Sequence, residues 1–132
     1  MSETLNAHQL IQLAQCLTRM QAMLTDFELT HYAELDDVQK SRLEETLTRL
    51  ASAAGRIYAY SVQLIFLEAT AQLRQLKQAT EDLKKFLKTV QKIQQVLDIV
   101  GIIGSLADAI ISHDVEGIAV EIDQFVQMLA NN

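Results

Sequence analysis

Glu28 and His31 stand three residues apart in the run Glu28-Leu29-Thr30-His31. On a helix that spacing brings a carboxylate and an imidazole to one face. Di-iron carboxylate bundles use this pair, but they use it twice and add glutamates from neighbouring helices. The other histidines, His8 and His113, have Leu5 and Ile110 at the matching position, so no second copy exists. No resident metal or other cofactor is expected. His31 with Glu34, Asp36 and Asp37 amounts to a loop that could hold a stray cation. Cys16 is the single cysteine, and Arg19 is the only basic residue one helical turn from it. A nucleophilic thiol needs a base and a setting that lowers its pKa, so Cys16 reads as a small packing residue. No Gly-x-Gly-x-x-Gly, phosphate loop or Gly-x-Ser-x-Gly occurs, and four glycines leave little material for one. Tyr58 and Tyr60 fall on different helical faces and read as packing and rim residues. Nothing here is placed for acid–base or nucleophilic work, and an enzyme is not expected.

Two constellations survive. The first is basic: Lys84, Lys85, Lys88 and Lys92, of which 84, 88 and 92 form one line along a helix. It is either a solvated face set against the chain's own acidic C-terminal end or a contact for an anionic membrane or partner. The second is Val96–Ser112, the most apolar stretch. Its polar or small residues Asp98, Gly101, Ser105, Asp108 and Ser112 recur at spacings of three and four, which makes one narrow helical stripe. The other faces are Ile, Val, Leu and Ala. Such a helix is either an almost fully buried bundle member or one able to enter lipid. It is too short and too charged for an ordinary span of about 20 apolar residues. In an oligomeric pore, however, small and acidic residues can line water while the rest faces lipid. Buried core is the expectation and a membrane-active segment the alternative.

The elements that must position these residues follow from composition and rhythm. At 132 residues and 49% hydrophobic, the chain is long enough for one domain with a real core. Aromatic content of 5%, with no Trp, points to a core of Leu, Ile, Val and Ala. The net charge of −6 is uneven. Residues 1–35 carry four acids against Arg19, residues 36–95 seven acids against ten bases, and residues 96–132 six acids and no base. An acidic total argues against nucleic-acid binding, which needs a basic face. A lone cysteine suits a reducing compartment, and the polar start Ser2-Glu3-Thr4 has no apolar segment behind it, so a cytoplasmic setting is expected.

From Arg56 to Val100 there are 45 residues without glycine, and the chain has no proline. That permits helix nearly throughout, a rod on the order of 68 Å if unbroken. Leu10, Leu13, Leu17, Met20, Leu24 and Phe27 mark one apolar seam, with Ser2 or Thr4 as cap. Asp36-Asp37 opens a second helix, with Leu43, Leu47, Leu50, Ala54, Ile57, Ser61 and Leu64 as its seam and Tyr58, Val62, Ile65 and Phe66 widening it. Thr80-Glu81-Asp82 looks like a restart, which places a turn near Gln78–Thr80. Ser112 or Asp114 caps the last helix, with Val115, Ile118, Ile122, Phe125 and Leu129 as its seam.

The expectation is an all-α antiparallel bundle of about four unequal helices near 4–28, 36–78, 80–112 and 114–130, without strand. The second and third, being long, overhang the others and leave seam for self-association to cover. The function read from this is that of a non-catalytic bundle acting as a homo-oligomer or by docking a protein partner. The alternative is a membrane-active effector that uses Val96–Ser112 with its adjacent lysines.

Overall fold

The chain signals its helix starts with side chains. Asn6 Oδ1 accepts the Gln9 amide at 2.8 Å while Gln9 Oε1 accepts the Asn6 amide at 3.0 Å, a reciprocal capping box that opens α1 (Ala7–Thr30). Asp36 and Gln39 make the same pair, at 2.8 and 2.9 Å, at the start of α2 (Asp37–Tyr58). Asp114 Oδ1 accepts the Gly117 amide at 3.0 Å and opens the last helix. The cap of the first helix is thus Asn6, not Ser2 or Thr4. Thr4 belongs instead to a two-residue strand.

These details come from a computed structural model, which describes residues 2–59 and 63–131. In chain order it contains β1 (Glu3–Thr4), α1, a 3-10 turn at Tyr32–Glu34, α2, β2 (Ile65–Phe66), α3 (Ala69–Thr89), α4 (Ile93–Ile111) and α5 (Val115–Ala130). The protein is therefore predominantly helical, as the periodicities imply, but with five helices among the described residues, of 24, 22, 21, 19 and 16 residues. The strands pair antiparallel, with Glu3 opposite Phe66 and Thr4 opposite Ile65.

Two expectations about helix boundaries are corrected. The helix expected over 36–78 ends at Tyr58, because residues 64–67 alternate with the period of a strand: Leu64 and Phe66 are buried, while Ile65 and Leu67 face outward. Absence of breakers permits helix but does not impose it on β-branched and aromatic residues. Tyr60, Ser61 and Val62, assigned to the same helix, lie outside the described residues. The turn expected near Gln78–Thr80 does not occur either. Thr80 is wholly buried in mid-helix, and its hydroxyl donates to the Leu76 carbonyl at 2.8 Å instead of capping a start. The break falls later, where Val90 and Lys92 adopt extended backbone between α3 and α4.

The packing forms a circuit: α1 lies on α2 and α3, α2 on α4, α4 on α5, and α5 on α3. Two pairs of neighbours that are not consecutive, α1 with α3 and α2 with α4, advance in the same direction. Arg19 of α1 pairs with Glu81 of α3, and Met23 and Phe27 further on share a groove with Lys84 and Leu87. Likewise Thr46 and Arg49 of α2 meet Val100 and Asp108 of α4 in ascending order. A simple antiparallel bundle is not what these contacts describe. Nor are α2 and α3 the longest helices, since α1 with 24 residues exceeds their 22 and 21. Most of each seam closes within one chain: Leu13, Leu17, Met20, Leu24, Leu43, Leu50, Ile57, Leu83, Ile118, Ile122 and Phe125 are buried in one continuous cluster, while Leu10, Val115 and Leu129 at the seam ends are only partly buried.

Candidate functional site

The α4 helix carries buried residues on most of its circumference: Val96, Leu97, Ile99, Val100, Ile103, Gly104, Leu106, Ala107, Ala109 and Ile110. What it shows to solvent is the stripe Asp98, Gly101, Ser105, Asp108 and Ser112, all five exposed. Three of its polar members have local roles. Asp98 Oδ1 accepts from Gln94 at 2.9 Å, and the Ser112 hydroxyl donates to the Asp108 carbonyl at 2.9 Å. Asp108 Oδ1 lies 3.4 Å from Arg49 Nε. The expectation that this segment is too short and too charged to span a membrane is corrected: the helix begins at Ile93 and is long and apolar enough by length and composition, with 56% of that stretch buried among its neighbours.

Beside the stripe lies a polar ledge from α2. Arg42, Glu45, Thr46 and Arg49 face Leu97, Asp98, Val100 and Gly101 across a groove of about 290 Å³. Below it the helices approach closely. A methyl group placed on Gly104 would meet Thr46 Oγ1 at 3.0 Å, and that hydroxyl donates to the Val100 carbonyl at 3.3 Å. Gly104 is therefore the small residue that matters to packing. Its signal in the sequence is its place on the apolar side of the stripe, one turn from Gly101.

The basic constellation does not share one helix: Lys84, Lys85 and Lys88 stand on α3, and Lys92 lies in the extended break just before α4, so 84, 88 and 92 do not form one helical line. Although α3 packs on α5, none of these lysines is ion-paired with Asp114, Glu116, Glu121 or Asp123 among the described residues. Lys84 and Lys88 instead border a groove of about 390 Å³ with Met23, Asp26, Phe27, Thr30, His31 and Leu87. On α5, Glu116, Val120 and Asp123 recur at spacings of four and three and are all exposed, Val120 to 51%.

Glu28 and His31 do not converge. His31 turns out of the helix to pair with Glu34, Nδ1 to Oε2 at 3.0 Å, with its ring 4.4 Å from that of Phe27. Glu28 turns inward, is only 7% exposed, and has no hydrogen-bond partner at Oε2. Burial first, then the hydrogen bond and charge of Glu44 on α2, push its carboxyl above the ordinary range, and Lys40 partly offsets them. Among the described residues, no three His, Cys, Asp or Glu side chains gather where they could hold a metal ion. Cys16 is buried, and that burial pushes its thiol up against the opposing effects of Thr80, Arg19 and Lys77. Tyr58 is half-exposed at a rim.

One grouping escapes sequence reasoning. Between α1 and α3 runs a groove of about 410 Å³ lined by His8, Gln12, Gln15, Cys16, Arg19, Thr70, Leu73, Arg74 and Lys77. Its residues come from helices some sixty positions apart, and only the side-by-side course of α1 and α3 joins them. In comparison with known proteins, the chain matches no family model, no curated protein and no solved structure.

Proposed function

We propose that this protein is a non-catalytic helical bundle that works by self-association, a second copy of the chain being the partner. One observation carries the reading: two complementary charged stripes that do not neutralise each other within the chain. The lysines of α3 have no ion pairs among the described residues, and neither do Glu116 and Asp123 beside the exposed Val120. A two-fold arrangement would set each stripe against its complement in the other copy and use both twice. Exposed pairs are worth at most about 1 kcal/mol each and are screened by salt. The assembly is therefore weak and ionic-strength dependent, in a cytoplasmic setting that the lone buried thiol suits.

Light scattering at low and high salt tests this. The expected result is a dimer at low salt that dissociates as salt rises. Lys84→Glu with Lys88→Glu should give a monomer, and so should Glu116→Lys with Asp123→Lys. An equimolar mixture of the two variants should associate again, because each then meets its complement. A wild-type monomer at low salt, or a dimer indifferent to reversal, would overturn the proposal.

A second reading rests on α4, which has the length and apolarity of a membrane span and lies next to Lys92. In that reading the bundle releases α4 at an anionic bilayer.

A further inference from the structure

The α1–α3 groove is basic although the chain as a whole is acidic. The protein is acidic overall, at −6, yet this groove is lined by Arg19, Arg74, Lys77 and His8 and by no carboxylate. Glu81 lies beside it, pairs with Arg19 and is held below the usual carboxylate range by that contact. The pair engages only part of a guanidinium with five N–H donors. Arg74 and Lys77, one turn apart on α3, have no ion-pair partner among the described residues. Like charges at that spacing repel, so the arrangement is not explained by helix stability. The remaining wall adds the amide side chains Gln12 and Gln15, and Cys16 and Leu73, both buried, give it an apolar floor. A volume of about 410 Å³ lies within the range of small-molecule sites, roughly 300–1,000 Å³.

We infer that this groove binds a small organic anion. One phosphate or carboxylate group would be held by Arg74, Lys77 and the free donors of Arg19, with a short apolar portion over Leu73 and Cys16. Arginine suits both oxyanions through bidentate hydrogen bonds. The groove shares none of the residues varied in the self-association test, so the two readings stand or fall separately.

Titration calorimetry at low salt, with amide chemical-shift mapping, provides the test. Phenyl phosphate serves as the phosphate-ester probe and benzoate as the carboxylate probe, with inorganic phosphate and phenol as the half-ligands. The expected result is saturable binding of at least one complete probe, tighter than either of its halves, weakened by salt and mapped to His8–Arg19 and Thr70–Lys77. Which complete probe binds more tightly identifies the oxyanion. Arg74→Glu with Lys77→Glu lies on an exposed helix face and should weaken binding by about tenfold or more. Circular dichroism and the melting temperature of that variant establish that it is folded. Absence of saturable binding by both complete probes at millimolar concentration, shifts mapping elsewhere, or a folded double variant that binds like wild type would overturn the inference. So would binding only of an acidic peptide, which would make the groove a protein-docking surface.

Discussion

Arg49 Nε lies 3.4 Å from Asp108 Oδ1 across the α2–α4 contact, with the two side chains 43% and 54% exposed. The pair is long and wet, so it steers register more than it binds, contributing at most about 1 kcal/mol. What holds α4 against α2 is the close approach beneath it, at Gly104 and Thr46.

The two α4 glycines therefore respond oppositely to alanine. A methyl group added at Gly101 meets nothing within 4 Å, whereas one added at Gly104 meets Thr46 Oγ1 at 3.0 Å. Gly101→Ala should stabilise by about 1 kcal/mol, the helix-propensity difference. Gly104→Ala gains the same propensity but crowds a buried hydroxyl bonded to Val100, and should be neutral or destabilising. Urea unfolding of both variants decides it, and equal gains would show that α2 and α4 do not approach so closely.

Glu28 sets a pH dependence. Its folded carboxyl titrates above the ordinary 4.5 because of burial and of Glu44. The protonated form is thus favoured by folding, and the stability it contributes is complete below pH 4.5 and lost as pH rises through the folded value. Glu81, held low by Arg19, acts in the other sense, its contribution being lost as pH falls through its folded value. Glu28→Gln should therefore raise stability at neutral pH, because the amide carries no charge to desolvate or to repel Glu44. The gain should shrink as pH falls through the folded value and vanish well below 4.5, where the carboxyl is protonated in both states. A variant less stable than wild type at neutral pH would mean that the carboxylate is solvated or paired.

The seams are legible in the sequence because three-four spacing encodes a buried face directly, as Leu13, Leu17, Met20 and Leu24 illustrate. The break between α2 and α3 is not. It depends on Leu64 and Phe66 finding the core in extended form, with Leu5 donating its amide to the Leu64 carbonyl at 2.8 Å. Thr80 resembles a cap in sequence, and only its burial against α1 makes it a mid-helix residue. The groove of Arg19, Arg74 and Lys77 is invisible at that level, since helix order in the circuit is a tertiary property.

His113 bears backbone strain that can be measured. It sits between α4 and α5 with φ 58, in the left-handed region, while Asp114 donates its amide to the Ala109 carbonyl at 2.9 Å and His113 to Ile110 at 3.2 Å. That is a Schellman closure, where glycine is the usual occupant. The exposed His113→Gly should stabilise by about 1 kcal/mol and raise the melting temperature by several degrees. A loss of stability would mean that the imidazole makes a compensating contact.

Cys16 should be slow to react. Its thiol is buried and its pKa raised chiefly by that burial, so little thiolate exists at neutral pH. Alkylation should follow the opening of the α1–α3 contact and accelerate steeply in urea near the unfolding midpoint. Fast, stoichiometric labelling of the native protein would place the thiol at the surface and return it to consideration as a nucleophile.

The membrane reading makes the most exacting demand on the fold. To enter lipid, α4 must withdraw Val96, Leu97, Ile99, Val100, Ile103, Leu106 and Ile110 from the core, where each is at most 4% exposed. Burying such a side chain contributes roughly 1.5–3 kcal/mol. Seven of them together match or exceed the roughly 5–15 kcal/mol that hold a typical domain folded. Release of α4 is thus equivalent to unfolding unless a bilayer repays it at once. We expect neither binding nor dye leakage with neutral or anionic vesicles at neutral pH, and none at acidic pH while circular dichroism and thermal melts report the native fold. If anionic vesicles leak, Lys84→Glu, Lys85→Glu and Lys88→Glu together supply the discriminating control. Each lysine near such a surface contributes about 1 kcal/mol, so the triple reversal should weaken binding more than about a hundredfold. Leakage with that sensitivity and a strong salt dependence would make the membrane reading the better one.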